Sequence, residues 1–194
     1  MSEIKSLCVF CGSRTGDDPA HEVAARDLGH AIADHGIELV YGAGDIGLMS
    51  VVARAALANG GKVTGIIPEF IQDFEVGSPG EIDLVVVDSM LDRKRVMFER
   101  SDGFIALPGG LGTLDEIIEM ITWKQLQQHK KPVVLVDTNH YWQPFLDLVQ
   151  AIVDGGFGHH GINELFSVVD DVESVFPALE DAPQASIEVL TSHL

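Results

Sequence analysis

Short apolar, β-branched runs recur along this chain, separated by segments of helical period, and this alternation constrains the fold more than any other feature. Leu7–Cys11, Ile37–Tyr41, Lys62–Ile66, Ile82–Val87, Gly103–Leu107, Val133–Val136 and Phe166–Val169 read as strands. Pro19–His35, Gly47–Asn59, Met90–Arg100, Thr113–Gln125, Trp142–Val153 and Asp171–Leu179 read as helices bounded by Gly, Pro, Asp or Asn. Strands apolar at nearly every position need cover on both faces. The pattern therefore predicts an α/β, Rossmann-like, doubly wound parallel sheet with helices on both sides. At 194 residues and 46% apolar content the chain suffices for one sizeable core, so residues 1–194 are read as a single domain. The tail after Pro183 is weakly patterned and is expected to be loosely held. Such sheets bind ligands at the carboxyl ends of their strands, which directs attention to the loops after Cys11, Tyr41 and Leu107.

Charge narrows the partners. Twelve Lys plus Arg against thirty Asp plus Glu give a formal charge of −18, a field that repels nucleic acids and anionic membranes. The apolar runs fall far short of the roughly 20 residues that a membrane span requires, and the opening MSEIKSLCVF lacks a charged leader region and cleavage site. A soluble, cytoplasmic protein is expected. The two cysteines, Cys8 and Cys11, have a C-x-x-C spacing. On a strand, residues three apart point to opposite faces, so buried, inert thiols are expected rather than a redox pair or metal site. The histidines are scattered and form no H-E-x-x-H pattern, so no metal is predicted.

The most informative stretch is GFIAL-PGGLG-TLDEIIEM, residues 103–120. A strand runs into Pro108, Gly109, Gly110, Leu111 and Gly112, and a helix is predicted to open at Thr113. Glycines allow positive φ and close approach of a ligand, and the exposed amides of a helix start attract an anion. A tight turn is the plainer reading of the same glycines. Thr113-Leu114-Asp115-Glu116 also matches the S/T-x-x-E capping box, which leaves Glu116 open to a capping or a chemical role. Two carboxylates beside a phosphate require a nearby cation. Arg93, Lys94, Arg95 and Arg100 supply a local concentration of positive charge, although ordinary surface ion pairs explain such a helix as well.

Gly42-Ala43-Gly44-Asp45-Ile46-Gly47 fits G-x-G-x-x-G, but it follows the second strand and Glu69 is a poor match for the acid expected further on. A loop that lets a nucleotide approach closely suits it better than a dinucleotide site. Cys11-Gly12-Ser13-Arg14 offers a hydroxyl and a guanidinium to a ligand, or else a helix-capping turn. Ser13, Gly42, Gly44 and Gly109 are accordingly candidate substrate-binding positions.

Taken together, Cys11-Gly12-Ser13, the Val40-Tyr41-Gly42-x-Gly44 loop ending in Gly47-Leu48-Met49, Met90-x-x-Arg93-Lys94, Pro108–Glu116, Ile121-Thr122-Trp123 and Lys131-Pro132 resemble the LOG family. These are cytokinin riboside 5′-monophosphate phosphoribohydrolases, often mislabelled lysine decarboxylases. The resemblance covers roughly Leu7 to Val136. It implies cleavage of an adenine-type nucleoside 5′-monophosphate, N6-prenylated or plain, to free base and ribose 5-phosphate, without a cofactor, in a homodimer. It places the family's catalytic pair on Arg93 and Glu116. Substrate contacts fall on Lys94, on Gly110, Leu111, Gly112, Thr113, Leu114, Asp115 and Glu116, and on Thr122. Departures are Ala43 for a glycine, Leu91 and Asp92 before Arg93, and Ser50 for a glycine. Glu116 is expected to stabilise the cationic sugar and orient water, with Arg93 holding it ionised. The competing expectation is a non-catalytic carrier of a phosphorylated ligand, because molybdenum-cofactor carriers are similar in the P-G-G-x-G-T loop. A lysine decarboxylase is not expected, since neither Lys62, Lys94 nor Lys124 sits in a Schiff-base context.

Overall fold

The computed structural model describes residues 4–75 and 82–182, so the tail after Pro183 lies outside the described residues. Seven strands form one all-parallel sheet: β1 (Ser6–Phe10), β2 (Glu38–Tyr41), β3 (Val63–Pro68), β4 (Asp83–Val87), β5 (Gly103–Ala106), β6 (Val133–Val136) and β7 (Ser167–Val169), in the order β4-β3-β2-β1-β5-β6-β7. The helices are α1 (Pro19–Asp34), α2 (Gly47–Ala58), α3 (Glu69–Glu75), α4 (Met90–Arg100), α5 (Leu111–Gln125), α6 (Gln143–Asp154) and α7 (Val175–Glu180).

Two cores sandwich the sheet, as near-continuous apolar strands require. Leu7, Val9 and Cys11 pack with Leu28 and Ile32 of α1, Val52 of α2 and Leu179 of α7. The alternate residues Cys8 and Phe10 pack on the other face with Met97 of α4 and Ile117 and Met120 of α5. The cysteines thus face opposite ways as expected, both buried with free thiols, and burial raises the pKa of each. The doubly wound, Rossmann-like sheet is the one predicted.

The differences are local. α3 was not anticipated; at seven residues it is too short for a periodic signal to separate it from a loop. α7 starts four residues late because the Asp171 side chain accepts the Ser174 amide (2.9 Å) and closes a turn first. Among the described residues no helix is long and apolar enough to cross a membrane.

The chain winds outward from β1 to β4, then returns to place β5 beside β1 before continuing to β7. Between β1 and β5 the loops leave the sheet in opposite senses, which opens a crevice at the carboxyl ends of these two strands.

Candidate active site

The loops after β1 and β5 are tied together at that crevice: the Leu107 amide donates to the Phe10 carbonyl and the Gly12 amide to the Pro108 carbonyl, both at 3.0 Å. α5 opens at Leu111 with Gly110 as its cap residue, two residues earlier than the sequence predicts. None of Gly109, Gly110 and Gly112 has positive φ, so of the two reasons expected for these glycines only the room left by a missing Cβ applies. Their reason is space. A Cβ on Gly109 would lie 2.1 Å from Thr113 Oγ1 and 2.9 Å from the Gly12 nitrogen, whereas one on Gly110 or Gly112 would meet nothing within 4 Å. The first two turns therefore press against the fold at Gly109 and stand open at Gly110 and Gly112. The amides of Leu111, Gly112 and Thr113 precede the first intrahelical bond, from the Leu114 amide to the Gly110 carbonyl (3.1 Å), and no side chain caps them. Uncapped amides at the positive end of a helix form an anion site.

The early start also moves Glu116 to the sixth helical position, so the capping box does not form. Its carboxyl instead lines a cavity of about 270 Å³ with Arg93, Cys11, Ser13, Met49, Met90 and the 110–113 segment. Arg93 arrives from α4 and is buried, 7% exposed. Its Nη2 donates to the Gly42 carbonyl (3.0 Å), and a Cβ on Gly42 would lie 1.8 Å from that nitrogen. Gly42 is the opening through which the guanidinium passes. Arg93 and Glu116 border one space without a direct ion pair. Burial drives the Glu116 pKa up to about 7; Arg93 and Lys94 pull it down and Asp115 and Glu119 push it up. Desolvation is the larger effect, and Arg93 acts against it in the direction expected of a cation that holds Glu116 ionised.

The second glycine loop serves packing. The amides of Leu48 and Met49, at the start of α2, donate to the Gly12 carbonyl (3.0 and 3.4 Å), so this helix end is not open to a ligand. Gly44 makes room for Met49, whose side chain reaches the cavity. Ala43 has φ of 60°, a conformation that favours glycine, and its Cβ occupies the space left by Gly65.

Of the sequence candidates, the cavity gathers Arg93, Ser13, Gly110, Leu111, Gly112, Thr113, Asp115 and Glu116, with Gly109 beside it. Others lie elsewhere. Lys94 is spent on Asp115 (3.0 Å) and Glu119 (2.9 Å), bonds that outweigh desolvation and leave its pKa raised, so it neutralises α5 instead of facing the cavity. Leu114 packs against the core, and Thr122 is exposed on α5 away from the cavity. Gly42 and Gly44 are buried behind Arg93 and Met49.

Sequence reasoning missed an adjoining cavity of about 620 Å³, lined by Gly12–Asp18, His21, Leu48, Pro108–Gly110 and Tyr141. Arg14 belongs here. Asp18, not Ser13, caps α1 by accepting the Ala20 amide (2.9 Å). Met90 carried a signal, since its spacing of three from Arg93 puts both on one helix face, where Arg93 Nη1 lies 3.8 Å from its sulfur. His21 and Tyr141 carried none.

A family model described as possible lysine decarboxylase matches residues 49–179, more than half of the chain. A cytokinin riboside 5′-monophosphate phosphoribohydrolase of Arabidopsis thaliana is 42% identical over 156 residues, 80% of this chain and 72% of its own. The chain belongs to the LOG family. A second Arabidopsis member with the same enzyme name is 37% identical over 93% of this chain and 84% of its own. For two rice members the match spans 63% and 64% of their length, slightly under two thirds. Among solved structures, the molybdenum cofactor binding protein of Rippkaea orientalis superposes with a TM-score of 0.69 at 22% identity, covering 93% of this chain and 98% of that one. The molybdenum cofactor carrier protein of Chlamydomonas reinhardtii gives 0.68 at 24%, covering 99% and 100%. Those two likenesses are of fold. The lysines do not fit the pyridoxal chemistry that the family's description suggests: Lys62 pairs with Glu38 (2.8 Å), Lys94 is held by α5, Lys124 is buried, and none lines either cavity.

Proposed function

We propose that this chain hydrolyses the N-glycosidic bond of an adenine-type nucleoside 5′-monophosphate, plain or N6-prenylated, releasing free base and ribose 5-phosphate. The observation that carries the reading is the convergence of Arg93 and Glu116, from different helices, on one cavity floored by the uncapped start of α5. The 5′-phosphate rests on the amides of Leu111, Gly112 and Thr113, with Ser13 beside it. That places binding energy away from the reacting bond, where it positions the sugar. Lys94 offsets Asp115 near the anion.

As the bond between C1′ and the ring nitrogen breaks, its electron pair leaves with the base and positive charge spreads over C1′ and the ring oxygen. The Glu116 carboxylate faces that charge. Water attacks C1′, Glu116 takes its proton, and the same carboxyl, with a pKa near 7, passes the proton to the departing nitrogen. One carboxyl thus does what glycosidases usually divide between two. Arg93 keeps the ionised form accessible and contacts the ribose or phosphate. The family also supports a homodimer with its sites near the subunit interface, in keeping with the exposed Leu91, Leu111 and Ile118 along α4 and α5.

Incubation with AMP and with N6-isopentenyl-AMP, followed by chromatography, tests the reading. Free base and ribose 5-phosphate are expected in equal amounts. Thermal stabilisation without turnover would instead mark a carrier of phosphorylated ligands.

A further inference from the structure

We propose that Tyr141 is a positioning residue for the phosphate loop, holding the Gly109 carbonyl so that the Gly110 amide faces the anionic end of the nucleotide; this rests on the function proposed above. The Tyr141 hydroxyl donates to the Gly109 carbonyl at 2.5 Å. In a planar trans peptide the N–H of the next residue points opposite to that carbonyl. Tyr141 lines the larger cavity, so fixing the Gly109 oxygen toward it aims the Gly110 N–H away from that hydroxyl, and Gly110 also lines the Arg93–Glu116 cavity. That N–H has no protein partner among the described residues, and Gly110 has no side chain to obstruct it. On its other flank the loop is fixed by the close approach of Gly109 to Thr113 and Gly12. A peptide held from both sides loses little freedom when it binds an anion.

The segment that delivers Tyr141 is built for the purpose. After β6, Asn139 and His140 adopt φ of 53° and 60°, two successive non-glycine residues in the left-handed region, a strain that persists only where the surroundings enforce it. They do so here. Asn139 Nδ2 donates to Asp18 Oδ2 (2.7 Å), the carboxylate that caps α1. The buried Asp137 accepts the Trp142 amide (2.6 Å) on the far side of the turn. The Tyr141 ring meets His21 edge to face, with centroids 5.4 Å apart. The strap thus links α1, β6 and the β5–α5 loop through one hydroxyl.

Tyr141→Phe keeps the ring and removes only that hydroxyl. Calorimetry with ribose 5-phosphate, and steady-state kinetics with AMP and with adenosine, separate the alternatives. One lost hydrogen bond is expected to raise the Kd for ribose 5-phosphate and the KM for AMP about three- to tenfold. The kcat for AMP is expected to stay within about twofold, and kcat/KM for adenosine, which has no phosphate, to stay the same. Asn139→Ala, which unties the strap from Asp18, is expected to move the same constants in the same direction. A merely structural role would lower Tm and slow both substrates alike, and that result overturns the proposal. So does a Phe variant that matches the wild type in every constant while the wild type cleaves AMP, an outcome that leaves the hydrolase reading intact. A wild type that neither binds ribose 5-phosphate nor cleaves AMP overturns that reading, and this proposal with it.

Discussion

In Glu116 the proposed chemistry and the stability of the fold meet in a single side chain. Its folded pKa, about 7, lies above the 4.5 of an ordinary glutamate, so the folded state holds this proton more tightly than the unfolded chain. The stability that follows is fully present below about pH 4.5 and is lost as pH rises through 7. Glu116→Gln removes the charge that burial penalises. Thermal denaturation should show the variant more stable than the wild type by roughly 1–3 kcal/mol at pH 8, with the two converging near pH 4. The same substitution should lower kcat on AMP at least ~10²-fold, because a neutral amide neither balances the cationic sugar nor moves a proton. Near-full activity in the variant would reduce Glu116 to a structural residue.

At the scale of elements, glycines with the same sequence signature do opposite things. Gly42 ends β2 at the point where Arg93 of α4 crosses, so Gly42→Ala must displace the guanidinium. Its expected cost is roughly 1–3 kcal/mol of stability, as for other overpacked sites. Activity should fall to the level of Arg93→Ala, and the double variant should be no less active than either single one, since both remove the same group. Gly110→Ala is the contrast. Its Cβ meets no protein atom, so Tm should not change, yet the methyl group enters the mouth of the cavity and the KM for AMP should rise. Melting curves and kinetics on the two variants test the division between a glycine that admits a side chain and one that admits a ligand. Likewise the starts of α2 and α5 both follow glycine loops, but the Gly12 carbonyl occupies the amides of the first and leaves those of the second open. Which helix start keeps its amides open depends on where β1 ends in space.

For the whole molecule, the return of β5 to the side of β1 creates the site, by setting two loops and the starts of two helices around one crevice. The exposed apolar residues of α4 and α5 lie beside it on a chain of net charge −18. Sedimentation at micromolar concentration and physiological salt is expected to show a dimer; a monomer alone would count against a subunit interface there.

The order of strands and helices, the parallel sheet and the two motifs bearing Arg93 and Glu116 were legible in the sequence because their signals are local. A near-continuous apolar run of five residues makes a strand such as β1, helical spacing makes α4, and a glycine run at a strand end marks a loop whatever the rest of the chain does. Tertiary structure alone decided what those loops are for. It set Arg93 beneath Gly42, took Lys94 away from the cavity to pair with α5, closed the start of α2 with a carbonyl from the loop after β1, brought Tyr141 to Gly109, and surrounded Glu116 closely enough to outweigh a nearby cation. Each of these depends on steric fit, desolvation or hydrogen bonding between residues far apart in the chain, quantities that exist only once the chain has folded.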